Sequence, residues 1–166
     1  MALKHCTECG APLIGKYHPE EAREIPFCEQ CGAWRFPTFN TAVSVIVMDE
    51  QEENVILIQQ YGRGLNVLVT GYVNCGEDVE DALLREVREE LGLDVTIRRF
   101  NRSHYYARSN TLMLNFTAVT KEREAHPNEE VDAWGWFSVE ESIRAIAHGS
   151  LSEIFLLGAY SGEYPF

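Results

Sequence analysis

The chain of 166 residues is long enough for one main domain and a small additional one. Its composition, 45% hydrophobic and 24% charged, is ordinary for a globular protein. The formal net charge of −12 argues against sequence-independent binding to nucleic acid or to an anionic membrane surface, since both need clustered cations. Anionic substrates would have to be held by bound metal ions and a few local arginines or lysines.

The start of the chain contains no apolar stretch of signal-peptide length. The longest mainly apolar run, residues 41–48, is too short to span a bilayer. We therefore expect a cytoplasmic protein that does not bind membranes. Cysteines in that reducing setting need a role other than disulfide formation.

Two CxxC pairs near the start of the chain predict a structural zinc site. They are Cys6 with Cys9 and Cys28 with Cys31, and a glycine follows each pair. Four thiolates at this spacing are typical of a closed tetrahedral Zn²⁺ site, and redox activity or disulfide bonding is the alternative. A module with so small a core would owe its folding to the metal. Cys75, the odd cysteine, is expected to be a free thiol without an assigned role.

Pro37 favours an extended residue before it and marks a boundary between a zinc ribbon at residues 1–36 and a catalytic domain at residues 37–166. Only a short hairpin is expected between the two cysteine pairs. Acidic residues outnumber basic ones in the ribbon, which favours a packing or dimerisation role over nucleic-acid binding. A homodimer is therefore one expected assembly.

Apolar patterning, β-branched residues and turn residues predict the elements of the second domain. Strands are predicted at residues 41–48, 54–61, 66–70, 94–106, 111–119 and 133–137. Helices are predicted after the loop at residues 71–76, from Ser138 to His148 with Glu141 in a capping box, and from Ser150 or Ser152 to about Tyr160. Gly92 is expected to end the first helix as a C-cap. Strands with helices on both sides indicate the α/β class, an α/β/α sandwich with a mixed sheet.

Three glutamates of the first helix, Glu86, Glu89 and Glu90, fall within about 100° of arc on one helical face. Like charges at this spacing repel one another, and a bound divalent cation would relieve the repulsion. Carboxylates are ligands that Mg²⁺ prefers, and Mg²⁺ in turn binds substrate phosphates. A solvated acidic face is the alternative interpretation of such a charge run.

The stretch that contains this helix resembles the Nudix signature, G-x5-E-x7-R-E-U-x-E-E-x-G-U, in which U is an aliphatic residue. Its fixed positions are filled at the right spacing by Gly71, Glu77, Arg85, Glu86, Val87, Glu89, Glu90, Gly92 and Leu93. The resemblance implies a Nudix hydrolase, which cleaves a diphosphate linked to a nucleoside or a similar group, and it implies the α/β/α sandwich of that family.

On this basis Glu89 and Glu90 are expected to be the main ligands of Mg²⁺ or Mn²⁺. Glu86 is expected to complete the cluster, either as a ligand or by orienting or deprotonating the attacking water. Arg85 would hold carboxylates through bidentate hydrogen bonds. The resemblance suggests further groups around the metal: Glu77, the carbonyl oxygen of Gly71, and a carboxylate from a later loop, Glu130 with Glu129 as the second choice.

Substrate recognition needs an aromatic face for the base and a cation for phosphate or ribose. The aromatic candidates are Tyr72, Tyr105 and Tyr106, and each is equally consistent with packing in a strand. Arg63, in the turn Gly62-Arg63-Gly64, is the candidate cation, with an ordinary solvated turn residue as the alternative.

A zinc ribbon followed by a Nudix domain is similar to the NADH pyrophosphatase branch of the family. That branch carries the motif SQPWPFPxS, to which residues 103–111 correspond here. Ser103 is retained, Tyr106 takes the tryptophan place and Thr111 the last serine place, whereas all three prolines are replaced. The resemblance implies hydrolysis of a dinucleotide such as NAD(H) to two mononucleotides, with ADP-ribose and FAD as alternatives.

The same residues allow two other functions. A non-catalytic Nudix-fold sensor would use the ribbon to bind a partner, and the complete set of signature glutamates argues against it. Removal of an NAD cap from RNA is opposed by the acidic net charge.

Overall fold

The computed structural model describes residues 3–165, and the chain divides into two compact units, Met1–Phe39 and Asn40–Phe166. Within the described residues, no helix is both long enough and apolar enough to cross a lipid bilayer. The elements in chain order are β1 Ile14–His18, β2 Arg23–Cys28, β3 Ala33–Trp34, β4 Asn40–Asp49, β5 Asn54–Gln60, β6 Val69–Tyr72, α1 Val79–Leu91, β7 Thr96–Tyr106, β8 Thr111–Thr120, β9 Val131–Ser138, α2 Val139–Ala145 and α3 Leu151–Ser161.

The first unit is a small antiparallel sheet in the order β1-β2-β3. The hairpin of β1 and β2 pairs Ile14 with Phe27, and β3 extends it through Cys28 and Ala33. The short hairpin expected between the cysteine pairs is therefore confirmed. Of its apolar side chains only Ile25 is fully buried apart from cysteines, so this unit has very little hydrophobic core within the described residues.

Strand β4 is the centre of the second unit and makes its sheet mixed. Its pairing with β8 is parallel, and it runs from the pair Asn40–Thr111 to the pair Asp49–Thr120. On its other edge it is antiparallel to β6 near its start and to β5 at Met48. The sheet runs β7-β8-β4-β5-β9, with β6 beside β4, so the predicted mixed sheet is confirmed.

The side chains of β4 alternate between two buried cores, one on each face of the sheet. Val43, Val45 and Val47 enter the core that α1 covers, whereas Ile46 and Met48 enter the core that α3 covers. A strand buried on both faces is why the segment reads as a continuous apolar run. The core on the first face takes four buried residues from α1, which are Ala82, Leu83, Val87 and Leu91. The predicted α/β/α arrangement is confirmed.

The two largest differences from the predicted element boundaries arise because distant segments pair there, and the other boundaries lie within two residues of the predictions. Helix α2 has the predicted capping box at Ser138, but it ends at Ala145 rather than at His148. Ile146 is extended and forms a bridge with Asn66, whose side chain also donates to the Ala145 carbonyl at 3.0 Å. The third predicted strand begins at Val69 rather than at residue 66, since the residues before it form only isolated bridges.

Replacement of Leu83 by alanine should lower the free energy of unfolding by about 2–5 kcal/mol, because the side chain is fully buried and leaves a cavity. Urea denaturation at 25 °C measures the change. Leu65→Ala, at a side chain that is 54% exposed, is the matched control and should change stability by less than about 0.5 kcal/mol. Equal effects of the two variants would contradict the assignment of Leu83 to the core.

Candidate active site

Helix α1 presents its glutamates to a cavity of about 460 Å³ within the second unit. The helix ends where predicted, with Gly92 at φ 66° donating its backbone N–H to the Arg88 carbonyl. Such a left-handed C-cap suits glycine. The cavity brings together six residues predicted for the site: Gly71, Tyr72, Glu86, Glu89, Glu90 and Glu130.

Arg85 fixes three carboxylates at the edge of this cavity. Its Nη1 atom donates to Glu86 Oε1 at 2.7 Å and to Glu89 Oε2 at 3.0 Å. Its Nε and Nη2 atoms donate to the two oxygens of Glu77 at 2.7 and 2.9 Å, and Nη2 also donates to the Tyr72 carbonyl at 3.0 Å. The guanidinium, together with the backbone N–H of Asn74, lowers the pKa of Glu77 to about 2. Both oxygens of Glu77 are therefore engaged in holding Arg85.

Glu90 is the least solvated carboxylate of the site. Its side chain is almost fully buried, and its Oε2 atom makes no hydrogen bond of normal geometry to any residue between 3 and 165. Burial raises the pKa of Glu90 to about 8, the carboxylate of Glu86 adds to the rise, and the amide of Gln60 opposes it. A buried carboxylate oxygen without a partner fits the ligand set of a hard divalent cation.

Burial also raises the pKa of Glu86, whereas its hydrogen bond to Arg85 acts in the opposite direction. The carboxyl group lies directly against β6, because a Cβ atom on Gly71 would stand 1.7 Å from Glu86 Cδ. Only glycine leaves room for that carboxyl group. This contact explains the glycine of the signature without any need for a special backbone conformation.

A loop after β8 brings Glu130 to the cavity. The loop is attached to the end of α1, since His126 N–H donates to the Leu91 carbonyl at 2.7 Å and Asn128 N–H to the Glu90 carbonyl at 3.3 Å. The Asn128 side chain then accepts from Glu130 N–H at 2.9 Å. Glu130 lines the cavity and accepts from the hydroxyl of Tyr61 at 3.4 Å, whereas Glu129 is not among the described residues that line it.

The predicted substrate-binding residues separate into three groups. Tyr72 lines the cavity of the glutamates, with its side chain 55% exposed. Arg63 and Tyr106 line a neighbouring cavity of about 570 Å³ instead. Tyr105 is not among the described residues that line either cavity, and its hydroxyl donates to Asn110 Oδ1 at 2.7 Å.

Sequence reasoning missed Gln60 and Tyr61, which line both cavities. Gln60 stands at a β-bulge between β5 and β9, and bulges re-aim side chains next to functional sites. Tyr61 has a backbone φ of 58°, an uncommon conformation for a bulky residue that also occurs at functional sites. The only sequence signal for either residue is its position directly before the turn of Arg63.

The cysteine pairs meet in the first unit. The sulfur atoms of Cys6, Cys9, Cys28 and Cys31 all lie within 4.8 Å of one another, and no other group of three or more potential ligands in residues 3–165 is so close. The Cys6–Cys31 and Cys9–Cys28 sulfur distances are 3.9 and 3.5 Å. A disulfide needs about 2.05 Å, whereas the edge of a ZnS₄ tetrahedron is about 3.8 Å, so the cluster fits a zinc ion.

Arg35, which sequence reasoning missed, supports this cluster. Its Nε atom donates to Cys6 Sγ at 3.1 Å and its Nη2 atom to Glu8 Oε2 at 2.7 Å. The pKa of Cys6 is lowered to about 6, first by the backbone N–H of Cys9 and then by Arg35. Stabilisation of a thiolate suits metal ligation, which requires the deprotonated sulfur.

The model of the NUDIX domain family matches residues 38–155. The protein named NAD-capped RNA hydrolase NudC from Stutzerimonas stutzeri is 29% identical over 138 residues, which are 82% of this chain and 49% of that protein. The protein of the same name from Vibrio parahaemolyticus is 28% identical over 160 residues, which are 94% of this chain and 59% of that protein. The chain thus spans about half the length of the curated relatives it matches.

Solved structures show the same fold. A NUDIX hydrolase from Nitrosomonas europaea superposes with a TM-score of 0.73 at 20% identity, covering 99% of this chain and 96% of that one. An ADP-ribose pyrophosphatase from Streptococcus suis gives a TM-score of 0.60 at 22% identity, covering 76% of this chain and 96% of that one.

Replacement of Gly71 by alanine should weaken binding of Mn²⁺ at least about tenfold, because the added methyl group displaces the Glu86 carboxyl group. Calorimetric titration with Mn²⁺ measures the loss. Gly135→Ala is the control, since a Cβ atom there would meet only Phe137 at 3.4 Å. Wild-type affinity in the Gly71 variant would show that the position of Glu86 is immaterial to the metal.

Cys28→Ser should reduce the zinc content from about one ion per chain to almost none, since a tetrahedral site loses a buried ligand. Atomic absorption after purification under reducing conditions measures the content. Cys75→Ser, at an exposed thiol outside the cluster, should retain the zinc. A zinc-free wild-type protein would refute the assignment.

Proposed function

Because the chain belongs to the NUDIX domain family, we propose that it hydrolyses the diphosphate bond of a nucleoside diphosphate linked to another group, using Mg²⁺ or Mn²⁺. The preferred substrate class is a dinucleotide such as NAD(H), which would give two mononucleotides. One observation carries the proposal: a buried, unpartnered carboxylate oxygen of Glu90 lies in a cavity that Glu86, Glu89 and Glu130 also line.

In the proposed mechanism the metal ions would be held by Glu89 and Glu90, with Glu86 and Glu130 as further candidates. Bound divalent cations neutralise phosphate oxygens and lower the pKa of water. Arg85 keeps Glu86 and Glu89 in position, so these two carboxylates are already oriented when the substrate arrives.

Hydrolysis adds one water molecule across the diphosphate bond. The water oxygen forms a bond to one phosphorus atom, and the bond from that phosphorus to the bridging oxygen breaks. The bridging oxygen leaves with the other mononucleotide. Glu86, whose pKa burial raises, is suited to accept the proton of the attacking water. The exposed ring of Tyr72 is positioned to stack on a base.

A second candidate substrate is RNA that carries an NAD cap. It is favoured by the name of the relatives from Stutzerimonas stutzeri and Vibrio parahaemolyticus, and the net charge of −12 opposes extended RNA contacts. ADP-ribose and FAD contain the same diphosphate and stay as alternatives.

We also propose that Zn²⁺ occupies the cysteine cluster as a structural ion and that residues 1–36 act as a zinc ribbon. The support is the spacing of the four sulfur atoms. Reduced thiolates are typical of the cytoplasm, where we place the protein.

Glu90→Gln should lower kcat for NAD hydrolysis by at least about 100-fold, because it removes a metal ligand while preserving the shape of the side chain. Chromatography of reactions with Mg²⁺ or Mn²⁺ detects AMP and nicotinamide mononucleotide, and parallel reactions contain NADH, ADP-ribose or FAD. Glu129→Gln, at an exposed carboxylate of the nearby loop, should leave kcat unchanged.

The outcomes separate the alternatives. Turnover of ADP-ribose or FAD alone would retain the mechanism and reject the dinucleotide assignment. Binding of these nucleotides without turnover of any would favour a Nudix-fold sensor.

A further inference from the structure

A second cavity of about 570 Å³ adjoins the cavity of the glutamates. Gln60, Tyr61 and Thr70 line both, so the two cavities meet along one shared wall. The remainder of the second cavity comes from the turn around Arg63, from the end of β7 through Arg108, and from residues 147–152 before and within the start of α3. The two cavities are therefore adjacent, and a ligand long enough to pass the three shared residues would contact both.

The two cavities are lined by side chains of opposite charge. Four glutamates and no basic residue line the first, among the described residues. Arg63, Arg108 and His148 line the second, and none of the described residues that line it is acidic. In a chain with a net charge of −12, a cavity that contains only basic ionisable side chains besides tyrosine is unusual.

The two arginines of the second cavity are available to a ligand. Neither makes an ion pair with any residue in the described part of the chain. His148 differs, because its Nδ1 atom lies 2.7 Å from Glu153 Oε1. Glu153 also accepts from Gly149 N–H, and its own N–H donates to Ser150, so the start of α3 is already capped. The anion-binding capacity therefore rests on Arg63 and Arg108.

Gln60 and Tyr61 form part of the wall between the cavities. Gln60 is only 8% exposed, and its amide acts on the carboxyl group of Glu90, where it opposes the rise in pKa that burial causes. Beside it, Tyr61 is held at a positive φ with its ring 66% exposed. The guanidinium of Arg63 lies 6.0 Å from the centre of that ring. The exposed ring of Tyr61 at the junction suits a ligand that passes from one cavity into the other.

We propose that the second cavity is an anion subsite that binds an additional phosphate group carried on one arm of the diphosphate substrate. Arg63 and Arg108 bind that phosphate, and the glutamate cavity binds the diphosphate itself. The assignment rests on the proposed hydrolase function. The phosphate is either a monoester on a ribose of the dinucleotide or the first phosphodiester of an attached oligonucleotide. Guanidinium groups suit both, since they bind phosphate oxygens through paired N–H donors.

A binding experiment tests the subsite independently of catalysis. The probes are AMP, adenosine 2′,5′-bisphosphate and adenosine 3′,5′-bisphosphate, none of which contains a diphosphate bond. Calorimetry on the intact protein should give at least one bisphosphate a Kd about tenfold lower than that of AMP, a ratio expected from charge-assisted hydrogen bonds to one phosphate. In the double variant R63Q/R108Q that ratio should fall to about one.

The double variant R98Q/R144Q removes the same charge from two exposed arginines that do not line the cavity, and it should retain the ratio. Equal Kd values for all three probes in the wild type would overturn the proposal. Retention of the tenfold ratio in R63Q/R108Q would also overturn it. Far-ultraviolet circular dichroism verifies that each variant is folded.

Turnover experiments identify the source of the phosphate. A higher kcat/KM for NADP than for NAD indicates a monoester, and a higher kcat/KM for an NAD-capped oligonucleotide indicates a phosphodiester. Either preference should be lost in R63Q/R108Q. Turnover of NAD with no preference for either phosphorylated form would refute the subsite. A bisphosphate preference without turnover of any substrate would reject the hydrolase function and retain the phosphate subsite.

Discussion

One guanidinium group holds three of the four carboxylates that cluster around the active-site helix, and the fourth has no such partner. Arg85 donates to Glu77, Glu86 and Glu89, and these contacts hold the outer carboxylates in place. Glu90 lies beyond its reach, is nearly dehydrated and has a pKa raised to about 8. An unsolvated carboxyl group beside other acids is costly, and a divalent cation removes that cost on binding. Glu90 is therefore the residue from which a bound divalent cation would gain most in the proposed site.

The sheet determines where this charge arrangement can form. Strand β6 pairs with the first half of β4, and α1 packs on the same face. That packing brings Glu86 so close to β6 that only a glycine fits opposite it. The loop of Glu130 is attached to the other end of the helix through Leu91 and Glu90 carbonyls. The backbone contacts of α1 therefore position carboxylates from two separate parts of the chain at one cavity.

Local sequence signals were sufficient for most elements and for the helix of the active site. The capping box of Ser138, the C-cap at Gly92 and the alternation in β4 depend on neighbours within a few residues. The errors arose where distant segments meet. Helix α2 ends early because Ile146 pairs with Asn66, and Gln60 reaches the site through a bulge against β9. No local sequence pattern predicts either contact. The roles proposed for the site residues rest on their chemistry and on the family resemblance.

The separation of charge between two adjoining cavities resolves an apparent contradiction in the composition. A chain with a net charge of −12 repels phosphates at long range, yet its proposed substrate is polyanionic. Bound metal ions would offset the negative charge of the glutamates in the first cavity. Arg63 and Arg108 give the second cavity a positive charge that attracts phosphate without metal. Within residues 103–111, Arg108 stands where the SQPWPFPxS motif has phenylalanine. The difference from the motif places a cation where the motif has an aromatic side chain. It fits the proposal that this chain recognises an anionic group beside the diphosphate.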